Sequence, residues 1–168
     1  MIVHQSVRLI VRQFELTDTS FIIDLLNDEA FIKNIVDKQV RTEDDARDYL
    51  INGPMMSYEN FGFGLYILEL KDCNTPIGMC GLLKRDNLEY ADLGFSLLPQ
   101  FYRQGYAKEA SLAVLNEARD NYRLAKVSAV TALGNIGSNY LLKSLGFSFK
   151  KRIEFYQKEA NYYEISLA

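Results

Sequence analysis

Apolar and polar positions change period several times along the chain. From Val7 to Phe14, Val7, Leu9 and Val11 alternate with Arg8, Ile10 and Arg12, which predicts a strand. Thr17, Asp18 and Thr19 then supply helix-start chemistry, and Phe21, Ile22, Leu25 and Leu26 form a helical apolar stripe. A second helix is predicted from Thr42. Asp45 three residues on stands in for the usual Glu of a capping box, Ala46, Tyr49 and Leu50 form the inner face, and Gly53-Pro54 is expected to end the helix. The period then shortens. Gly64 to Leu70 and Ile77 to Leu83 read as a hairpin across the turn-rich Asp72-Cys73-Asn74-Thr75-Pro76, and Glu89 to Leu98 adds a third strand to the meander.

Gly105 opens a helix whose face is Ala107, Ala110, Ser111, Val114, Leu115 and Ala118, small enough near its start to approach a sheet closely. Ala125 to Thr131 is a β-branched strand. Asn135 caps a helix that Gly146 stops, and strands over 147–154 and 162–167 close the chain. The predicted order is β-α-α-β-β-β-α-β-α-β-β, an α/β (α+β) arrangement. One mixed sheet of about seven strands with about four helices, covering both faces, is the economical architecture.

With 168 residues, 48% of them hydrophobic and 24% charged, the expectation is a single globular domain over 1–168. The net charge of −3 gives no global basic field, so no nucleic-acid partner is expected. Lys150, Lys151 and Arg152 read as a solvated strand end, and the net negative charge leans toward a cationic acceptor without identifying one. Cys73 and Cys80 have neither redox nor zinc spacing, and the lone His4 excludes a histidine-rich metal site, so no metal is expected. No secretory leader and no membrane-spanning run is visible, which predicts a cytoplasmic protein, monomeric or homodimeric. Gly62-Phe63-Gly64 lacks the third glycine and the following helix of a dinucleotide fingerprint, and no P-loop motif occurs.

The informative segment runs from Asp92 to Ala110. A strand ends at Leu98-Pro99, and a short basic and polar loop leads into the helix at Gly105. Free N–H groups at a helix start and the helix dipole favour a phosphate; Gly105 allows close approach and Arg103 adds a positive charge. The same residues also fit a plain strand-loop-helix connection.

Tyr102-Arg103-Gln104-Gly105-Tyr106-Ala107 resembles the Q/R-x-x-G-x-G/A motif of the GNAT-superfamily acetyltransferases from Gly105 onward, with Tyr102 at the first position. An aromatic there, followed by G-Y-A-x-E-A, is similar to the branch containing the ribosomal-protein N-terminal acetyltransferases. That branch often has Gly where Arg103 stands. Further pieces resemble that branch in the same order: Arg8-Leu9-Ile10-Val11-Arg12 with Asp18, Thr42 to Ala46 with Tyr49-Leu50, Pro76-Ile77-Gly78 with Gly81, and Asn135 with Ser138 and Leu145-Gly146-Phe147.

The resemblance implies a GNAT-like, mostly antiparallel sheet with a central splay, and acetyl-CoA bound there. The coenzyme's pantetheine arm would pair with the backbone of Phe95, Ser96, Leu97 and Leu98. Its pyrophosphate would take the amides of Arg103, Gln104, Gly105, Tyr106, Ala107 and Lys108, and an amide near Leu97 or Leu98 would polarise the thioester carbonyl. Asp92 stands where the branch places a catalytic Glu, and is one methylene shorter, so a water relay to the amine is expected. Asp92 could equally be a structural carboxylate, and Glu89 is the alternative base. The family's frequent acid, a Tyr in the second motif helix, is Leu142 here. Ser138 is the branch's substitute, against a reading as a small packing residue. At about 100° per residue Ser138 shares a face with Asn135, Leu141, Leu142 and Leu145, while Tyr140 points away. Asn135 could hold the coenzyme arm, cap the helix, or both. The implied activity is acetyl transfer from acetyl-CoA to a primary amine by direct attack in a ternary complex. A protein or peptide N-terminus is the first acceptor reading. A small amine such as a polyamine or aminoglycoside, or a non-catalytic acyl-CoA-binding module, is the alternative. The segments 35–41 and 53–61 are expected to line the acceptor region.

Overall fold

A computed structural model describes residues 1–168. Eight strands form one sheet: β1 (Ile2–Gln5), β2 (Leu9–Gln13), β3 (Leu65–Leu70), β4 (Pro76–Leu83), β5 (Asp92–Leu97), β6 (Lys126–Ala132), β7 (Ser148–Phe155) and β8 (Lys158–Ser166). Their spatial order is β1-β2-β3-β4-β5-β6-β8-β7. Every neighbouring pair is antiparallel except β5 and β6, which run parallel. The helices are α1 (Thr19–Leu26), α2 (Glu29–Asn34), α3 (Glu43–Leu50), α4 (Met56–Phe61), α5 (Tyr106–Asp120) and α6 (Ile136–Leu145).

The alternation of β3 shows why both faces need cover. Leu65 and Ile67 pack with Ile22, Leu25, Ala46 and Leu50 of α1 and α3, whereas Tyr66 and Leu68 pack with Ala110, Val114 and Leu142 of α5 and α6. Successive side chains point to opposite faces, so a sheet apolar on both must be sandwiched. Ala110, Ser111 and Ala118 of α5 are fully buried, as their spacing predicted, and Ala107 at its start is half-buried. Lys150, Lys151 and Arg152 lie exposed on the edge strand β7, where charge discourages edge-to-edge pairing.

The single mixed, mostly antiparallel sheet flanked by helices is as expected, and four details differ. The sheet has eight strands because β1 pairs onto β2, and the exposed residues of β1 carry no alternation that would signal it. A short helix, α2, stands where none was predicted; Asp28 caps it by accepting from the Ala30 and Phe31 amides. The β5 strand begins at Asp92, and Glu89 lies before it in an exposed turn. Gly53-Pro54 does not end the helix begun at Thr42. The backbone widens into one π-helical turn over Ile51–Met55 and continues as α4, which stops at Gly62 in the left-handed region (φ 83°). Widening the turn seats Pro54 where an ordinary helix would demand its missing N–H. The capping box at the start of α3 is present: Asp45 N–H donates to Thr42 Oγ1 and Thr42 N–H donates to Asp45 Oδ2, both at 3.1 Å.

Candidate active site

The central opening follows from the parallel junction. β4 and β5 pair along six registered positions, whereas β5 and β6 share a single register pair, Asp92 with Ser128. Beyond that point the two strands part. Leu98 N–H donates to Ile77 C=O at 2.9 Å, and Ser96 is registered against Met79. Strand alternation therefore turns the Ser96 and Leu98 backbone toward β4 and the Phe95 and Leu97 backbone toward the opening. Of the two amides expected near the thioester, Leu97 is the one that faces the splay. Gly78 makes this edge possible: a Cβ there would lie 2.2 Å from the Ser96 carbonyl oxygen.

Below Leu98 the chain makes a short 3₁₀ turn over Pro99–Phe101 and enters α5 through Gly105, whose φ of 84° suits a residue without Cβ. The first backbone bond of α5 runs from Glu109 N–H to Gly105 C=O, and no side chain caps the helix. The amides of Tyr106, Ala107 and Lys108 are thus left without intrahelical acceptors, with Arg103 and Lys108 exposed beside them. Arg8 holds this loop from beneath. Its Nη1 donates to Gln104 C=O and its Nε to Glu109, both at 2.9 Å, and its guanidinium lies 4.2 Å from the centre of the Tyr106 ring. The donor set is what a pyrophosphate needs: unpaired amides, a dipole end, cations and no Cβ at the point of approach.

The opening leads into a cleft of about 130 Å³ lined by Asp92, Phe95, Asn135, Ser138 and Tyr156. Asn135 accepts from Ser138 N–H at 3.2 Å and so caps α6, which sets Ser138 on the cleft side. Tyr140 is exposed and Leu142 is fully buried in the core. Neighbouring Asn139 fixes this end of α6: its Oδ1 accepts from Thr131, Tyr163 and Asn161, at 2.5, 2.8 and 3.1 Å.

Asp92 is only 4% exposed. Burial pushes its carboxyl up to about 6, opposed by Arg85, whose Nε lies 3.1 Å from Oδ1. Arg85 Nη1 also donates to the Tyr156 hydroxyl at 2.9 Å, and Lys38 Nζ donates to the same oxygen at 3.0 Å. Burial would raise the Tyr156 phenol; Lys38 and Arg85 outweigh it and hold the phenol below its usual value. Tyr156 sits in the β7–β8 turn with φ 50°, followed by Gln157 at 62°, a strained pair for residues with side chains. Arg85 and Tyr156 escaped the sequence reading, and Lys38 fell within it only as part of the segment 35–41. They converge from three distant segments, and the turn Phe155-Tyr156-Gln157-Lys158 lacks the Asn-Gly signal of a tight hairpin. Glu89 does not line the cleft, and His4 is an exposed residue of β1.

A family model described as "Acetyltransferase (GNAT) domain" matches residues 8–148, which includes the splay, the α5 loop and α6. The chain belongs to the GNAT acetyltransferase family. It is an acetyltransferase that uses acetyl-CoA, and the unpaired amides at the start of α5 fit that coenzyme. Among relatives of this GNAT chain, the uncharacterized N-acetyltransferase YnaD of Bacillus subtilis is 28% identical over 151 residues, spanning 90% of this chain and 84% of that protein. The fold resembles RimL, the ribosomal L7/L12 alpha-N-protein acetyltransferase, in complex with coenzyme A (TM-score 0.83, 15% identity, 99% of this chain and 98% of that one). It equally resembles the Salmonella typhimurium acetyl transferase described as modifying the N-terminal serine of ribosomal protein L7/L12 (TM-score 0.81, 16% identity, 99% of both chains). At these identities the structural likeness is one of fold. No helix of this GNAT protein is long and apolar enough to cross a membrane.

Proposed function

We propose that the protein acetylates the α-amine of a protein or peptide N-terminus, by direct attack on bound acetyl-CoA within one domain, residues 1–168. The observation that carries this reading is a second cavity beside the Asp92 cleft. Arg85 borders both that cleft and this cavity of about 340 Å³ between α3, α4 and the end of β4, which gives room for chain behind the reacting amine. The segments 35–41 and 53–61 contribute to these walls through Ile35, Lys38, Gly53 and Ser57. The RimL enzymes of like fold are described as acting on a ribosomal-protein N-terminus, which supports the same class of acceptor.

In this reading the amides of Tyr106, Ala107 and Lys108, with Arg103 and Gln104, hold the coenzyme pyrophosphate. Phe95 and Leu97 pair with the pantetheine arm, and the Leu97 amide polarises the thioester carbonyl. Asn135 lies beside the arm while capping α6. Bound acetyl-CoA supplies an acyl group already activated as a thioester. Asp92 accepts a proton from the acceptor ammonium, through a water where its shorter side chain does not reach. The amine nitrogen then bonds to the acyl carbon, and as the carbon–sulfur bond breaks the Ser138 hydroxyl passes its proton to the departing thiolate and takes up the surplus proton of the acylated nitrogen, so that Ser138 ends neutral.

The test is free-CoA release and product mass with peptides starting with Ser, Ala and Met, set beside a polyamine and an aminoglycoside. Acetylation of a peptide α-amine is expected, with Ser138→Ala lowering kcat at least about tenfold at unchanged coenzyme affinity. Turnover of the small amines alone would replace the acceptor reading. Saturable CoA binding without turnover on any acceptor would make the protein an acyl-CoA-binding module.

A further inference from the structure

The second cavity has a charge opposite to that of the whole chain. Three of its thirteen lining residues are cationic (Lys38, Lys84 and Arg85), and none is acidic. The protein's net charge of −3 is placed elsewhere, for example on Glu43, Asp44 and Asp45 at the exposed start of α3. Net charge therefore misleads about the acceptor, and the local field decides.

Little inside the protein neutralises these cations. Arg85 shares one carboxylate, Asp92, through Nε. Lys38 meets only the Tyr156 hydroxyl, and Lys84 reaches the Leu88 and Glu89 carbonyls at 3.4 and 3.2 Å. The Tyr156 phenol accepts from both Lys38 and Arg85 and so ties two of these cations to one fixed oxygen. The remaining wall is uncharged and able to hydrogen bond, through Asn52, Ser57 and the Tyr49 hydroxyl, which burial pushes up to about 12 and so keeps protonated. A second ammonium on the acceptor would face three positive charges there; a carboxylate would face three partners.

From this we infer that the acceptor is an anionic amine: behind the amine that reaches Asp92, it carries a carboxylate that lies among Lys38, Lys84 and Arg85. The inference rests on the placement of the acceptor proposed above. For a peptide it means Asp or Glu in the residues that follow the N-terminal one. A free amino acid carries the same chemistry in its own carboxylate.

Equilibrium binding to the CoA-loaded protein tests this independently of turnover. The probes are a peptide beginning Ser-Asp-Glu, its Ser-Lys-Lys counterpart, free glutamate and spermidine. Binding of the acidic peptide at least tenfold tighter than the lysine peptide is expected. Lys84→Glu should abolish or reverse that ratio, while CoA affinity, as a check on folding, stays unchanged. Tight binding of glutamate without the acidic peptide would keep the anionic acceptor and move its source to a small molecule. Equal affinities, a preference for the lysine peptide or spermidine, a ratio insensitive to Lys84→Glu, or no binding by any anionic probe would overturn the inference. Failure of acetyl transfer with this binding pattern intact would count against the proposed reaction alone.

Discussion

Burial and one guanidinium set the behaviour of Asp92 in opposite directions. Desolvation disfavours the ionised carboxylate, Arg85 favours it, and the balance leaves the group near 6, above the ordinary Asp range. A base must be deprotonated to act, so its active fraction falls as pH drops through that value. With a peptide acceptor, kcat/KM should lose about tenfold per pH unit below about 6, and any inflection at higher pH belongs to the acceptor amine. Asp92→Asn should remove the lower inflection and cost about a hundredfold in kcat. An unchanged profile in that variant would return Asp92 to a structural role. At this scale the sequence was partly legible. Asp92 and Ser138 could be named because they stand where the resembling family places its base and acid, with helix phase supporting Ser138. Tyr156, Lys38 and Arg85 could not, because 118 residues separate Lys38 from Tyr156 and only the folded sheet brings them together. Asn139 was missed for the same reason: its partners Thr131, Asn161 and Tyr163 belong to β6 and β8.

Among the elements, α5 was the most legible, since a 3.6-residue stripe of small residues and a glycine start are local signals. Its anchoring was not: Arg8 belongs to a strand start 101 residues from Glu109. Gly105→Glu should weaken CoA binding at least about a hundredfold, because a carboxylate would face the pyrophosphate and its Cβ would lie 3.2 Å from Arg8 Nη2. Gly105→Asn, which tolerates the left-handed region without adding charge, should bind markedly better than the Glu variant. Equal affinities of the two variants would remove the phosphate site from this loop. A second junction depends on Arg12 of β2. It donates both terminal nitrogens to Asp18 at 2.9 Å and also pairs with Glu69 of β3, all three side chains being largely buried. Arg12→Ala would strand two carboxylates, and a loss of about 3 kcal/mol in urea unfolding is expected. The π-helical turn at Pro54 shows the limit of local reading. Gly-Pro is an ordinary stop signal, but here the chain continues across it through the π-helical turn, and α4 forms one wall of the second cavity.

At the scale of the molecule, the site exists because one junction in an otherwise antiparallel sheet is parallel. Antiparallel neighbours stay paired along their lengths, whereas β5 and β6 meet at Asp92 and Ser128 and then diverge. The meander, the crossover helix and the closing hairpin were visible in the periodicity, but the point of divergence is a matter of twist and register, which no local pattern encodes. Acetyl-CoA is proposed to lie in this splay, with its arm along β5 and its pyrophosphate on α5. The most direct measurement is amide hydrogen exchange with and without acetyl-CoA. Protection should appear at Phe95 and Leu97 and at Tyr106 to Lys108, with the edge strands β1 and β7 unchanged. Exchange at those five amides that is unaffected by saturating acetyl-CoA would contradict it.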